Sequence, residues 1–225
     1  MNYYAIIVAG GSGNRMDNSI PKQFLLLEGR PVMMHAIEVF FNCPQKPEII
    51  IVLGKEMQKY WLNLCDKHNF TVPHILANSG PQRFDSVKSG LAQIKDDGIV
   101  AIHDAARPLV SDDVVRNSFE VALTKGNSVV GFSPVDSVRN TFPDGKTQAL
   151  DRAKLKLIQT PQTFQVNQLK KAYEIDYRAE FTDDAQVMEH YGFNINIIEG
   201  NRENIKITYP EDIAIASLMI KKKRP

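Results

Sequence analysis

The residue types best suited to chemistry fall into three groups. The first is Ala9-Gly10-Gly11-Ser12-Gly13-Asn14-Arg15-Met16, followed by Pro21-Lys22-Gln23-Phe24. Glycines let the backbone take φ > 0 and approach a ligand with no Cβ in the way, and successive N–H groups on such a loop form an anion-binding concavity. Arg15 and Lys22 add a guanidinium and an ammonium within reach of the same anion, so the pattern points to a cradle for a polyphosphate. A dinucleotide-binding fingerprint is excluded, because Met16 stands in the third slot of G-x-G-x-x-G/A. A Walker loop is excluded too, because no lysine follows Gly13 directly. The second group is His103-Asp104-Ala105-Ala106-Arg107-Pro108, whose acid is suited to holding Mg²⁺ through oxygen ligands. Arg107 supplies a planar fork for a second phosphate or for Asp104 itself, and a purely structural Asp–Arg pair closing the loop fits the same residues. The third group, Asn204-Ile205-Lys206-Ile207-Thr208 before Pro210-Glu211-Asp212, reads alone as a surface lysine beside a helix cap.

These groups need a scaffold, and the chain alternates the two kinds of segment that supply one. Tyr3–Ala9, Glu48–Leu53, Gly98–His103 and Ser128–Phe132 are apolar, β-branched runs without alternation, as in strands buried on both faces. A shorter strand is expected at His74–Ala77 and another at Ile195–Ile198. Between them lie helical patterns: one opened by Pro31, one through Trp61 and Leu64, Gln82–Ile94, Ser111–Leu123, Asn167–Tyr177, Asp183–Tyr191 and Pro210–Ile220. The alternation indicates an α/β fold with a mostly parallel sheet covered by helices on both faces, and ligands at the carboxyl ends of its strands. Both the glycine loop and Asp104 fall at such ends. The order breaks between Pro134 and Phe164, where Pro143-Asp144-Gly145 signals a turn between polar segments and charges crowd from Lys146 to Lys156. This stretch, about 134–164, reads as a hairpin arm projecting from a single domain spanning 1–225. Residue types alone leave open whether it is a free flap or packs on another subunit.

Composition narrows the function classes. A net charge of +1 over 225 residues gives no reason to expect nucleic acid or an anionic membrane as a partner. No stretch approaches the ~20 apolar residues of a membrane span, and the N-terminus has no charged n-region or cleavage site. Cys43 and Cys65 stand alone, as reduced thiols do in a cytoplasmic protein. The five histidines form no Ser-His-Asp or Cys-His set.

The run A-G-G-x-G-x-R-M with P-K-Q-F resembles the N-terminal signature of the IspD family of cytidylyltransferases, which couple CTP to 2-C-methyl-D-erythritol 4-phosphate in isoprenoid-precursor synthesis. Further blocks follow in the family's order. Gly80-Pro81-Gln82-Arg83-Phe84-Asp85-Ser86 is similar to its G-x-x-R-x-D-S segment, although Pro81 replaces a residue that is often acidic in relatives. Asp85 or Ser86 alone would read as a helix cap. Asp104-Ala105-Ala106-Arg107-Pro108 matches D-A-A-R-P, and Asp136-Ser137 resembles a D-[ST] pair with serine where threonine is common. Asp151-Arg152 with Gln159-Thr160-Pro161-Gln162 resembles D-R…T-P-Q, and Asn204–Asp212 matches N-I-K-x-T-x-P-E-D; Thr182-Asp183-Asp184-Ala185 is similar to T-D-E/D-A, a structural cap.

The resemblance implies a Rossmann-like nucleotidyltransferase fold and a homodimer whose arm embraces the partner and lines its active site. It implies Arg15, Lys22, Lys206 and Asp104 as catalytic residues, and Ala9, Gly10, Gly11, Gly13, Gly80, Ser86 and Ala105 as the CTP site. Asp104, Arg107, Ser137, Arg152 and Thr160 then bind the acceptor, with Asp104 also holding Mg²⁺ or another divalent cation. Ribitol-5-phosphate cytidylyltransferases are close relatives, but D-A-A-R-P and the D-R pair before T-P-Q favour methylerythritol phosphate. The alternative of another class is a non-catalytic nucleotide-binding sensor. Mere binding does not require both loop cations, Asp104 and Lys206.

Overall fold

The computed structural model describes residues 1–11 and 20–223. Along the chain come β1 (Tyr3–Val8), a small antiparallel ladder of β2 (Leu26–Leu27) and β3 (Arg30–Pro31), α1 (Val32–Asn42), β4 (Glu48–Leu53), α2 (Lys55–Lys67), β5 (Ile75–Asn78) and α3 (Arg83–Leu91). Then follow β6 (Ile99–Asp104), α4 (Asp112–Lys125), β7 (Asn127–Phe132), β8 (Val138–Thr141), β9 (Thr147–Leu150) and β10 (Leu157–Gln165). Helices α5 (Val166–Ala172) and α6 (Asp184–His190), strand β11 (Ile197–Glu199) and α7 (Glu211–Lys223) complete the order. Seven strands form the central sheet in the order β11-β7-β10-β6-β1-β4-β5. Only β10 runs against its neighbours, β6 and β7.

Strand β1 shows why a non-alternating apolar run makes this sheet. Its side chains point alternately to the two faces. Ala5 and Ile7 enter one core with Met33, Ile37, Phe40, Trp61 and Phe119 from α1, α2 and α4. Tyr4 and Ile6 enter the other with Phe84, Val87, Leu169 and Met188 from α3, α5 and α6. Each face is thereby covered. Helix α3 approaches closely because Gly90 has no side chain: a Cβ there would lie 2.8 Å from Ile6 Cγ2. A third, smaller cluster of Leu27, Val32, Ala106, Leu109, Ile207 and Ala216 ties α7 and the β2–β3 ladder over the carboxyl end of the sheet.

The topology places a crevice where it is needed. From β1 the chain moves outward through β4 and β5, whereas β6 lies on the other side of β1. The loops after β1 and β6 therefore leave in opposite directions, opening the switch-point crevice that binds ligands in such sheets. The parallel register sets Val8 beside Asp104, and Ala105 N–H donates to Val8 O at 3.0 Å.

The arm is shorter than the stretch 134–164. Its hairpin is β8 and β9, turned at Asp144-Gly145, with Gly145 at φ +81° and Asp144 Oδ1 accepting from Lys146 N–H. Residues 157–165 instead form β10, with Gln159–Phe164 buried in the centre of the sheet. The physical reason lies in side-chain chemistry. Charges end at Lys156, and the polar groups that follow all find partners inside: Gln162 bonds Asp183 and Ala185, and Thr163 bonds Ser118. Paired amides and hydroxyls can occupy a core that charges cannot. Elsewhere the expected boundaries shift little, except that α5 stops at Ala172 rather than running to Tyr177.

Candidate active site

The crevice is a cleft of about 510 Å³ floored by the carboxyl ends of β1 and β6. Ala9, Gly10 and Gly11 line it with Lys22 and Gln23, and Gly80–Arg83 with Ser86 line it beside them. Asp104, Ala105, Ala106, Lys206 and Thr208 close the rest. Two glycines are required by contact. A Cβ on Gly10 would lie 2.5 Å from Ser79 Cβ, and one on Gly80 would lie 2.3 Å from Asp85 Cβ. Ser86 Oγ accepts from Gly80 N–H and donates to Gln82 O, so it shapes this wall as well as facing the cleft. Asp85 caps α3 by accepting from Gln82 N–H. Gln23, which sequence reasoning passed over, is buried and donates to Ala9 O at 2.7 Å. It pins the Pro21–Phe24 segment to the glycine loop and so places Lys22.

Asp104 is the electrostatic centre. Lys206 Nζ lies 2.8 Å from its Oδ2, Arg83 Nε 3.4 Å from Oδ1, and Arg107 Nε 3.7 Å from Oδ2. Burial opposes its charge, yet Arg83, Lys206 and Arg107 together hold the carboxyl far below the usual carboxylate range. It is therefore an anion at any pH of interest. Lys206 reaches it from a segment anchored by Ile207 N–H on Ala106 O and by the buried Asn204 on Thr160 O.

Behind Arg83 lies a network absent from the sequence reading. Its Nη1 and Nη2 donate to the two oxygens of Asp184 at 2.9 and 2.7 Å, and Tyr173 O–H donates to Asp184 at 2.6 Å. The available signal was the doubled acid of Thr182-Asp183-Asp184-Ala185. Asp183 is the cap, accepting from Gln186 N–H. Asp184 is left to turn inward.

His103, one residue before Asp104, is not a base for the cleft. Its Nε2 faces Arg107 O, which only accepts, so Nε2 carries the proton. Nδ1 then accepts from Thr160 O–H, whose oxygen in turn accepts from Asp104 N–H. Burial lowers the His103 pKa to about 4. An unfolded chain protonates this histidine near ~6.5, so the unfolded state binds more protons between the two values and stability falls as pH drops through that window. The expected loss from pH 7 to pH 4 is roughly 3 kcal/mol from this residue. Denaturant midpoints measured without substrate or divalent cation test this, and a flat profile over that range contradicts it.

The structure gathers only part of the site inferred from motifs. Lys22, Lys206, Asp104, Ala9, Gly10, Gly11, Gly80, Ser86 and Ala105 line the cleft. Gly13 and Arg15 lie outside the described residues. Arg107 is not among the lining residues; it donates to Asn204 O at 2.9 Å, and its Nε lies 3.7 Å from Asp104 Oδ2, the pairing of the loop-closing alternative. Thr160 is buried between His103 and Asp104. Ser137 is exposed at the start of the arm, and Arg152 is exposed at the arm's base, where it donates to Val135 O. Neither lines the cleft of its own chain.

Comparison with known proteins gives a consistent answer. A family model described as IspD, 2-C-methyl-D-erythritol 4-phosphate cytidylyltransferase, matches residues 3–222. The protein of that name from Phocaeicola vulgatus is 44% identical over 220 residues, covering 98% of this chain and 100% of its own. That of Clostridioides difficile is 37% identical over 222 residues, covering 97% and 93%. Among solved structures, the Francisella tularensis 2-C-methyl-D-erythritol 4-phosphate cytidylyltransferase superposes with a TM-score of 0.81 at 29% identity, over 97% of this chain and 99% of that one. A 4-diphosphocytidyl-2C-methyl-D-erythritol synthase from Anaerococcus prevotii gives 0.84 at 24% identity over 98% and 96%, which bears on the fold alone.

Proposed function

Since the chain belongs to the IspD family of 2-C-methyl-D-erythritol 4-phosphate cytidylyltransferases, we propose that its cleft joins CTP to the phosphate of 2-C-methyl-D-erythritol 4-phosphate. The observation that carries this reading is the meeting of two halves at one crevice: the glycine loop with Lys22, and Asp104 with Lys206. CTP lies over Ala9–Gly11 with its base toward Gly80 and Ser86, and its triphosphate toward Lys22, Lys206 and, by family resemblance, Gly13 and Arg15. An acceptor phosphate oxygen attacks the α-phosphorus in line. The new O–P bond forms as the bond to the β-phosphate oxygen breaks, and pyrophosphate leaves with that electron pair. The product is 4-diphosphocytidyl-2-C-methyl-D-erythritol, an isoprenoid precursor.

No general base is needed. A phosphate monoester has its second pKa near ~6, so the nucleophile is already an anion at neutral pH. That agrees with the locked, neutral His103. Catalysis then rests on positioning and on cations set where charge develops. The residues also fit a divalent cation, since Mg²⁺ takes one or two carboxylates plus substrate phosphates, and Asp104 is an ionised carboxylate facing the cleft. Asp104 would hold Mg²⁺, which when bound offsets phosphate charge. The remaining steps belong to the chain's own side chains.

The acceptor end is completed by a second copy. Ser137 and Arg152 sit on an arm whose hairpin is exposed on both strands, with Val135, Phe142 and Leu150 bare. Such an arm is suited to embrace a partner and bring those residues to its cleft, with Thr160 supporting Asp104 from within. A cytoplasmic location accords with two buried free cysteines, and among the described residues no helix is long and apolar enough to cross a membrane.

The test is pyrophosphate release with CTP against methylerythritol phosphate and ribitol 5-phosphate in parallel, with and without Mg²⁺. Release with methylerythritol phosphate is expected. Release only with ribitol phosphate would reassign the acceptor, and CTP binding without release would favour a nucleotide sensor. An active enzyme that stays monomeric at every concentration would overturn the exchange of arms.

A further inference from the structure

We infer that the buried Asp184, with Tyr173, is a counter-ion clamp for Arg83: it cancels the charge of Arg83 toward the polyphosphate and fixes its Nε–H on Asp104. Asp184 is thus a positioning residue for the reaction proposed above, and the inference rests on that reading.

Arg83 lines the cleft with the glycine loop and would be an obvious cation for a triphosphate. Its geometry says otherwise. Both terminal nitrogens are spent on Asp184, which is 0% exposed, while Nε faces Asp104. A bidentate guanidinium–carboxylate pair fixes the plane of the fork as well as its place. Tyr173 O–H holds one oxygen of Asp184 at 2.6 Å, and Tyr173 itself stacks on Phe84, the neighbour of Arg83, at 4.6 Å between ring centroids. The clamp thereby joins the first turn of α3 to the first turn of α6. Toward the cleft, Arg83 and Asp184 together are neutral. Lys22 and Lys206 are left as the described lysines that face the phosphates, and Asp104 receives a directed N–H without a mobile cation.

The test compares Asp184→Asn with the double variant Arg83→Gln/Asp184→Asn, which removes both charges and retains two amides able to pair. Freed of its counter-ion, Arg83 should capture anions: Asp184→Asn is expected to tighten inhibition by pyrophosphate on the order of tenfold, the scale of one hydrogen bond to a charged group, while kcat falls. In the double variant, inhibition should return to within about twofold of wild type while kcat stays low, since the N–H on Asp104 is still missing. A purely structural role would lower activity without tightening pyrophosphate binding. Should Asp184→Asn fail to fold, the double variant decides alone. In it, reduced kcat with pyrophosphate inhibition and the KM for CTP both within about twofold of wild type supports the clamp; a KM for CTP that rises as kcat falls marks a purely structural role and overturns it, as does weakened inhibition, which identifies Arg83 as a polyphosphate ligand. A wild-type protein without turnover on CTP and methylerythritol phosphate removes the functional reading and this inference together. Wild-type turnover with unaltered variants removes the inference alone.

Discussion

The Lys22→Ala protein is expected to lose on the order of 10²–10³ in kcat, by analogy with the removal of one preorganised oxyanion donor, while keeping its fold. The fold should survive because its neighbours do the packing. Gln23 and Phe24 are buried, Gln23 on Ala9 O and Phe24 edge-on against Tyr60 at 5.2 Å. Lys22 is partly exposed on the cleft wall beside Gly10 and Gly11. In the proposed reaction its ammonium would stand where charge accumulates on the departing pyrophosphate, so its loss should fall on kcat more than on the KM for CTP. Steady-state pyrophosphate release, paired with thermal melts of both proteins, makes the comparison. A kcat/KM near wild type in a folded Lys22→Ala protein would refute the role.

A second substitution should damage stability and turnover together. Asp104→Asn keeps the shape of the side chain but leaves Arg83, Lys206 and Arg107 around a neutral amide. Breaking a buried pair by removing one partner typically costs ~3–5 kcal/mol, because the remaining charge is stranded. Lys206 is partly exposed and can turn to water, so the cost should lie toward the lower end of that range. Activity should fall by at least the ~10² of one lost electrostatic contact, since in the proposed reaction the carboxylate also serves the acceptor and the cation. Because the folded-state pKa of Asp104 is depressed, its contribution is present above the unfolded value of ~3.9 and is lost as pH falls below it. The stability gap between wild type and Asp104→Asn should therefore persist from pH 7 to about pH 4 and close in stronger acid. Denaturant midpoints across that range, with kinetics at pH 7, measure both effects. An Asp104→Asn protein as stable and active as wild type would remove Asp104 from the centre of the site.

The legible and illegible parts of the site differ in kind. Lys22 follows a glycine loop and Asp104 ends a strand, where the chain's own pattern marks a ligand site, whereas Lys206 is legible only through the family block that holds it. Gln23, Tyr173 and Asp184 carry no such mark. A buried glutamine on a carbonyl, or an acid 101 positions away from its arginine, is specified by three-dimensional proximity alone. The same reasoning explains the misplaced end of the arm. Gln159, Thr160, Gln162 and Thr163 read as surface residues by polarity, and their burial is tolerable only because Asn204, His103, Asp183 and Ser118 wait on neighbouring elements.

By itself the amino-acid sequence determined the alternating α/β scaffold, the glycine loop after its first strand and the spaced blocks shared with the IspD family. Periodicity and backbone permissiveness are local properties, and local properties survive in one dimension. Tertiary structure decided which side chains meet. It made Asp104 the focus of three cations, turned Arg107 and Thr160 inward as supports, and sent one strand backwards through the middle of the sheet. It also left Ser137 and Arg152 on an exposed arm, away from the cleft of their own chain. Charge pairing and burial depend on distances between residues remote in the chain, and only the folded arrangement supplies those distances.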